Sequence, residues 1–242
     1  MSGSQYIALS GLRARVDELD RLATDIANVG TTGYKGEREA RAAAERVAFD
    51  ATLQTAIDTT FGGRRLDVAK GSFATTGRPL DIALDGPGFF VISTPAGPRY
   101  TRNGHFTVNA DHKLVAEDGA EVQGEGGPIT VEDEDGGEIH VDSEGAVWSG
   151  TTKSGQLQIV EFTDPSQLTR EQGSRLHAEG LATAPATKTV VRAGTLEQSN
   201  VSVADRLAEL TTVSRGFEAL QKAISLLMND VDGRAIEHLG RR

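Results

Sequence analysis

An α+β fold is predicted for this chain of 242 residues, with helical ends flanking a β-rich middle. Three observations predict it. Apolar residues near the start recur at alternating steps of three and four. The same spacing returns near the end. Between them, short apolar runs alternate with Gly, Asp, Asn and Pro turns, at the roughly 8–12-residue spacing of antiparallel sheets. The expected architecture is a pair of N- and C-terminal helices forming a coiled-coil-like inner domain, and a central antiparallel β domain of sandwich or barrel type. Its divisions are 1–35 with 200–242 for the helices, 36–65 for a linker and 66–199 for the β domain.

The first helix is expected over residues 4–28. Leu9, Leu12, Val16, Leu19, Ala23 and Ile26 form a heptad seam. Arg13, Arg15, Asp17, Glu18, Arg21 and Asp25 are assigned to the opposite, solvated face. Gly30, Thr31, Thr32 and Gly33 break the helix. Residues 37–58 are Ala-rich and read equally as a helix or as an extended linker. Strands follow at 80–84, 89–93, 105–108, 129–131, 138–141, 157–162 and 187–192. Asn103-Gly104 reads as a hairpin turn joining strands at 99–102 and 105–108. Gly86, Gly88, Gly104 and Gly124 read as tight-turn glycines. The last helix is expected from Ser202 to about Asp230, capped by Asn200 or Ser202. Leu210, Phe217, Ile224 and Val231 repeat every seven residues, with Leu207, Val213, Leu220 and Leu227 completing the stripe. Two matching seams at opposite ends are expected to pair, burying Leu9, Leu12, Val16 and Leu19 near Leu210, Phe217, Ile224 and Leu227, and to pair further with neighbouring subunits.

Composition excludes several classes. Lys plus Arg is 25 against 35 for Asp plus Glu, a net charge of −10, the wrong sign for a non-specific nucleic-acid or polybasic membrane-surface binder. The chain has no cysteine, so disulfides, thiolate metal sites and a cysteine nucleophile are absent. The longest apolar runs, Tyr6–Leu9 and Phe89–Ile92, are far too short to cross a membrane as a helix. No basic-then-apolar leader opens the sequence, so the chain is expected to be either cytoplasmic or exported by a route that does not read such a leader.

No nucleotide, zinc-protease or nucleophile-elbow motif occurs, and the five histidines have no metal-ligand spacing. The stretch 132–144, EDEDGGEIHVDSE, lacks the spacing of a calcium loop and reads as a solvated hairpin tip. Asp81 and Asp85 lie on one face of a strand without the marks of a general acid–base pair. Tyr100, Arg102 and Asn103 suit a sugar-binding surface less well than a hairpin. No catalytic residue, metal or cofactor is assigned.

Three segments carry a resemblance. The first is DIANVGTTGYK (25–35). The second is GSFATTGRPLDIALDGPGFF (71–90), continuing through RYTRNGHF (99–106) and KLVAEDGAEVQG (113–124). The third is GTLEQSNVSVADRLAEL (194–210), with RGFEALQKAI (215–224). Together they resemble the axial proteins of the bacterial flagellum, the basal-body rod and hook family, and within it the proximal-rod type. The signature turn is carried by Ala27, Asn28, Thr31, Gly33, Tyr34 and Lys35. The β-domain signature is carried by Leu80, Asp81, Ala83, Gly86, Gly88, Phe89, Phe90, Tyr100, Thr101, Arg102 and Gly104. The lead-in to the last helix is carried by Ser199, Asn200 and Val201.

The resemblance implies a structural subunit, without enzymatic activity or cofactor, that stacks helically into a drive shaft spanning the periplasm. Its implied partners are copies of itself, other rod proteins and the flagellar type III export apparatus, with no nucleic acid and no membrane insertion. The seam residues Leu9, Leu12, Val16, Leu19, Ile26, Leu207, Leu210, Phe217, Leu220, Ile224 and Leu227 become the expected subunit interface. A backbone role is expected for Asn28, Thr31 and Gly33, such that Gly33→Val blocks assembly and leaves the β domain folded. The alternatives are the distal-rod type and a secreted β-rich, glycan-binding module with oligomerising helical ends.

Overall fold

The computed structural model describes residues 3–39, 64–131 and 138–239. The question of helix or linker over 37–58, and most of the acidic run at 132–137, lie outside the described residues. The ends of the expected linker are strands, Glu37–Glu39 and Arg64–Leu66, which pair with each other.

Two compact units are present. One contains helix α1 (Gly3–Ala27) and helix α2 (Val203–Leu239), which pack together. Ser202 caps α2: its hydroxyl accepts the Asp205 backbone N–H at 3.4 Å, supplying one of the acceptors that the first turn lacks. Asn200, the other candidate cap, serves elsewhere.

The face that α1 buries differs from the expected seam. Leu22 is fully buried, together with Arg21 and Asp25, which the sequence assigned to solvent. Val16 and Leu207 are instead 42% and 47% exposed. The reason is an ion network between the helices. Asp25 lies 3.1 Å from Arg206 Nε, Arg21 lies 3.1 Å from Glu209, and Arg206 lies 2.7 Å from Glu209. Charges that meet partners on the facing helix can be buried, and this turns α1 so that the Arg21–Leu22–Asp25 stripe faces inward. Val213 of α2 is buried as well, and a Cβ on Gly11 would stand 3.4 Å from Leu220. Leu12, Leu19, Ile26, Leu210, Phe217, Leu220 and Ile224 are half-buried. The side chains of Leu9 and Leu227 lie outside the described residues.

The other unit comprises Asn28–Arg38 and Arg65–Val201. Its largest sheet has ten strands, every recorded pair antiparallel. Strand Phe89–Thr94 lies inside it, bonded to Gly97–Thr101, Glu121–Gly124 and Ile159–Phe162. Side chains alternate across a strand. Phe90 and Ile92 therefore enter a core with Ile82, Leu84, Phe106 and Val122, while Phe89 and Val91 enter a second with Leu66, Val160, Phe162 and Leu176. A strand covered on both faces needs an unbroken apolar run, and Phe89–Ile92 is such a run. Phe90 meets Phe106 edge-on at 5.0 Å, and Phe89 meets Phe162 at 5.6 Å.

The expected hairpin at Asn103-Gly104 does not form. Gly97–Thr101 pairs with Phe89–Thr94 and with Leu176–His177, while Phe106–Val108 pairs with Leu114–Ala116. Residues 102–104 are buried. A Cβ on Gly104 would stand 1.7 Å from the Ile82 carbonyl oxygen, so this glycine serves backbone approach and not a turn. Gly86, Gly88 and Gly124 are likewise held against neighbouring atoms. Residues 129–131 form no strand but one bridge, Lys113 to Thr130. Further along the acidic run, Asp142 closes a turn. Its carboxylate accepts the backbone N–H groups of Glu144 and Ala146, both at 2.9 Å, and the Trp148 indole N–H at 3.1 Å.

Candidate functional site

The three signature segments, far apart in the chain, meet inside the β-rich unit around one carboxylate. Glu197 is completely buried. Its Oε1 accepts Lys35 Nζ at 2.6 Å and the Gly71 backbone N–H at 3.0 Å. Its Oε2 accepts Arg102 at 3.4 Å. Strand Thr195–Glu197 holds it in place by pairing with Phe73–Thr75.

Both cations are themselves buried and hydrogen-bonded. Lys35 donates to the Ala69 carbonyl at 2.8 Å. Arg102 donates to the carbonyls of Gly86 at 2.7 Å and Leu84 at 3.2 Å, and its guanidinium lies 4.7 Å from the centre of the Phe89 ring. Burial pushes the Lys35 ammonium below its usual range, and Glu197 opposes that shift. Burial also lowers Arg102, again opposed by Glu197. Two cations share one anion in a buried site, which binds Lys35, Arg102 and Glu197 into one interdependent group.

Asn200 forms a second clasp. Its side-chain oxygen accepts the Gly36 N–H at 2.8 Å, and its amide donates to the carbonyls of Asp67 at 2.8 Å and Ala69 at 3.1 Å. Nearby, the Glu197 carbonyl accepts the Gly33 N–H at 2.8 Å. Gly33 has φ of 67°, and a Cβ there would stand 2.2 Å from the Asn103 nitrogen. The residue thus packs directly on the β-domain backbone. Substituting it would disturb the β-rich unit itself, contrary to the expectation that this unit stays folded in Gly33→Val.

The other signature residues take supporting places. Tyr34 is fully buried beneath the Arg170 guanidinium, 4.2 Å from its ring centre. Thr31 donates to Asn28 Oδ1 at 3.1 Å, closing the turn after Ala27. Thr101 donates to the Ser174 carbonyl at 3.1 Å. Ala83 is fully buried, and Leu80 packs on the edge of the core. Tyr100 meets Phe162 edge-on at 4.8 Å. The Ser199 hydroxyl accepts the N–H of the buried Val201 at 3.2 Å. Asp81 and Asp85 do not act as a pair: Asp81 is buried 2.8 Å from His105, whereas Asp85 faces Lys70 and Arg192. Glu197 was not singled out from the sequence. Nothing local marks it: within its matched segment it stands between Leu196 and the polar Gln198. Among the described residues, no group of acidic or histidine side chains is arranged to hold a metal.

Comparison with known proteins gives a consistent result. Residues 83–149 match the flagellar hook protein FlgE/F/G D1 domain, and residues 192–226 match the flagellar basal body rod FlgEFG protein C-terminal family. The chain is 31% identical to flagellar basal-body rod protein FlgF of Caulobacter vibrioides over 248 residues, covering 100% of this chain and 99% of that protein. It is 30% identical to FlgF of Rhizobium meliloti, covering 99% of each. It is 32% identical to flagellar basal-body rod protein FlgG of Bacillus subtilis, covering 93% of this chain and 95% of that one.

Proposed function

This chain belongs to the flagellar basal-body rod protein family, and from that premise we propose that it is a proximal-rod structural subunit transmitting torque through packed interfaces. The observation that carries the proximal type is coverage. FlgF proteins of five organisms align with 97–100% of this chain, whereas FlgG proteins of three align with 93%. In this reading α1 and α2 form a coiled-coil-like part of the rod. Val16, Val203 and Leu207, exposed on the helices, meet neighbouring copies or other rod proteins. Their burial on assembly would each contribute about 1.5–3 kcal/mol. The Glu197 cluster and the Asn200 clasp are shape-holding elements and perform no reaction. Export proceeds through the flagellar type III apparatus.

A glycan-binding role would need free aromatic faces. Tyr100 is packed on Phe162, and the Trp148 ring is stacked on His140 with its N–H bonded to Asp142. The test is electron microscopy of basal bodies from a strain lacking this gene, complemented with the natural chain or with a Val16→Asp, Leu207→Asp variant. The rod should be missing in the deletion strain and in the variant. A complete rod in the deletion strain would overturn the proposal.

A further inference from the structure

We infer that a cationic groove in the β-rich unit docks the acidic run Glu132–Glu138 of a second copy of this chain. The inference rests on the reading of the chain as a subunit that packs against copies of itself. The groove encloses about 520 Å³, with Val68, Phe89 and Pro165 as apolar lining and Lys70, Asp85 and Lys188 as charged lining. Asp85 is shared by two cations, Lys70 at 2.8 Å and Arg192. That pairing holds its carboxyl below the usual range. Lys188 forms no ion pair among the described residues. Arg102 also lines the groove and shares the single carboxylate of Glu197 with Lys35, and Glu161 accepts the Lys188 backbone N–H at 3.2 Å. Five cations, Lys35, Lys70, Arg102, Lys188 and Arg192, thus meet three carboxylates, Asp85, Glu161 and Glu197, in a chain whose net charge is −10. This is a local field opposite in sign to the whole molecule.

The complementary partner is present in the same sequence. Residues 132–138, EDEDGGE, carry five carboxylates and no cation. The residues that flank the run are held in place: the Val131 N–H bonds the His112 carbonyl at 2.7 Å, and the Glu138 carbonyl accepts the Gly150 N–H at 3.2 Å. Charge complementarity of this kind sets register and orientation more than raw affinity, which suits a stack whose subunits must repeat one geometry. The contact should weaken with salt, because exposed charges are screened over about 8 Å at physiological ionic strength.

The absence of cysteine gives a clean test. Full-length Lys188→Cys and Glu134→Cys chains are mixed and oxidised, with Thr107→Cys, an exposed site elsewhere in the β-rich unit, as control. Mixed disulfide dimers of Lys188→Cys with Glu134→Cys should form well above the Thr107→Cys level. Adding Lys70→Glu to the Lys188→Cys chain should cut their yield by about tenfold. Dimer yield no higher than the control, or yield indifferent to Lys70→Glu, overturns the inference. So does a double-cysteine chain that closes on itself at every dilution. Failure here with the deletion strain still lacking a rod removes the docking inference alone; a complete rod in that strain removes the subunit reading beneath it.

Discussion

Replacing Glu197 by Gln removes one charge and almost no volume. The amide oxygen can still accept the Gly71 N–H, so the shape of the site is preserved. The electrostatics are not preserved. Lys35 and Arg102, with side chains only 2% and 4% exposed, would face each other without an anion. Breaking a buried ion pair from one side costs about 3–5 kcal/mol, a large share of the roughly 5–15 kcal/mol that holds a domain together. Lys35→Met should cost clearly less, because it leaves Arg102 and Glu197 as a matched pair. The assay is urea unfolding followed by fluorescence. The chain's single tryptophan, Trp148, lies in the β-rich unit and reports on it directly. With an m-value of about 2–3 kcal/mol per molar urea, the midpoint of Glu197→Gln should fall by roughly 1–2.5 M. The reasoning fails if that midpoint stays at the natural value, or if Lys35→Met is the more damaging change.

Two further outcomes are expected. Gly33→Ala should lower the same fluorescence midpoint by about 1–3 kcal/mol equivalent, since it forces a side chain into positive φ and onto the Asn103 backbone; an unchanged midpoint would show that the loop relaxes freely. The helix pair should loosen in acid. Burial raises the Glu209 carboxyl, but Arg206 and Arg21 outweigh it and hold the group below its ordinary value of 4.5. Its contribution is therefore complete above about pH 4.5 and is lost as pH falls through the depressed folded value. Because Glu209 is partly exposed, the effect is below about 1 kcal/mol. Helicity followed by circular dichroism should decline at higher pH in Glu209→Gln than in the natural chain, and coincident acid transitions would count against the network.

Much of this protein is written locally. The two helices follow from apolar residues stepping by three and four, and the second also from its polar cap, all read within a few residues. The doubly buried strand follows from Phe89–Ile92, an apolar run that only a two-sided core accommodates. The Asn103-Gly104 dipeptide misled for the same reason: it is a local turn signal, overridden when Arg102 is drawn to Glu197 and Gly104 is pressed against Ile82. Burial of Arg21 and Asp25 was likewise hidden, because a charge reads as solvated until its partner on another helix is known. The sequence by itself determined the period of each element and, through its matched segments, the family. Only the tertiary structure decided that Lys35, Arg102 and Glu197 form one buried group. Coulombic pairing acts through space between residues as much as 162 positions apart, and nothing in a residue's own neighbourhood along the chain records which distant charge will neutralise it.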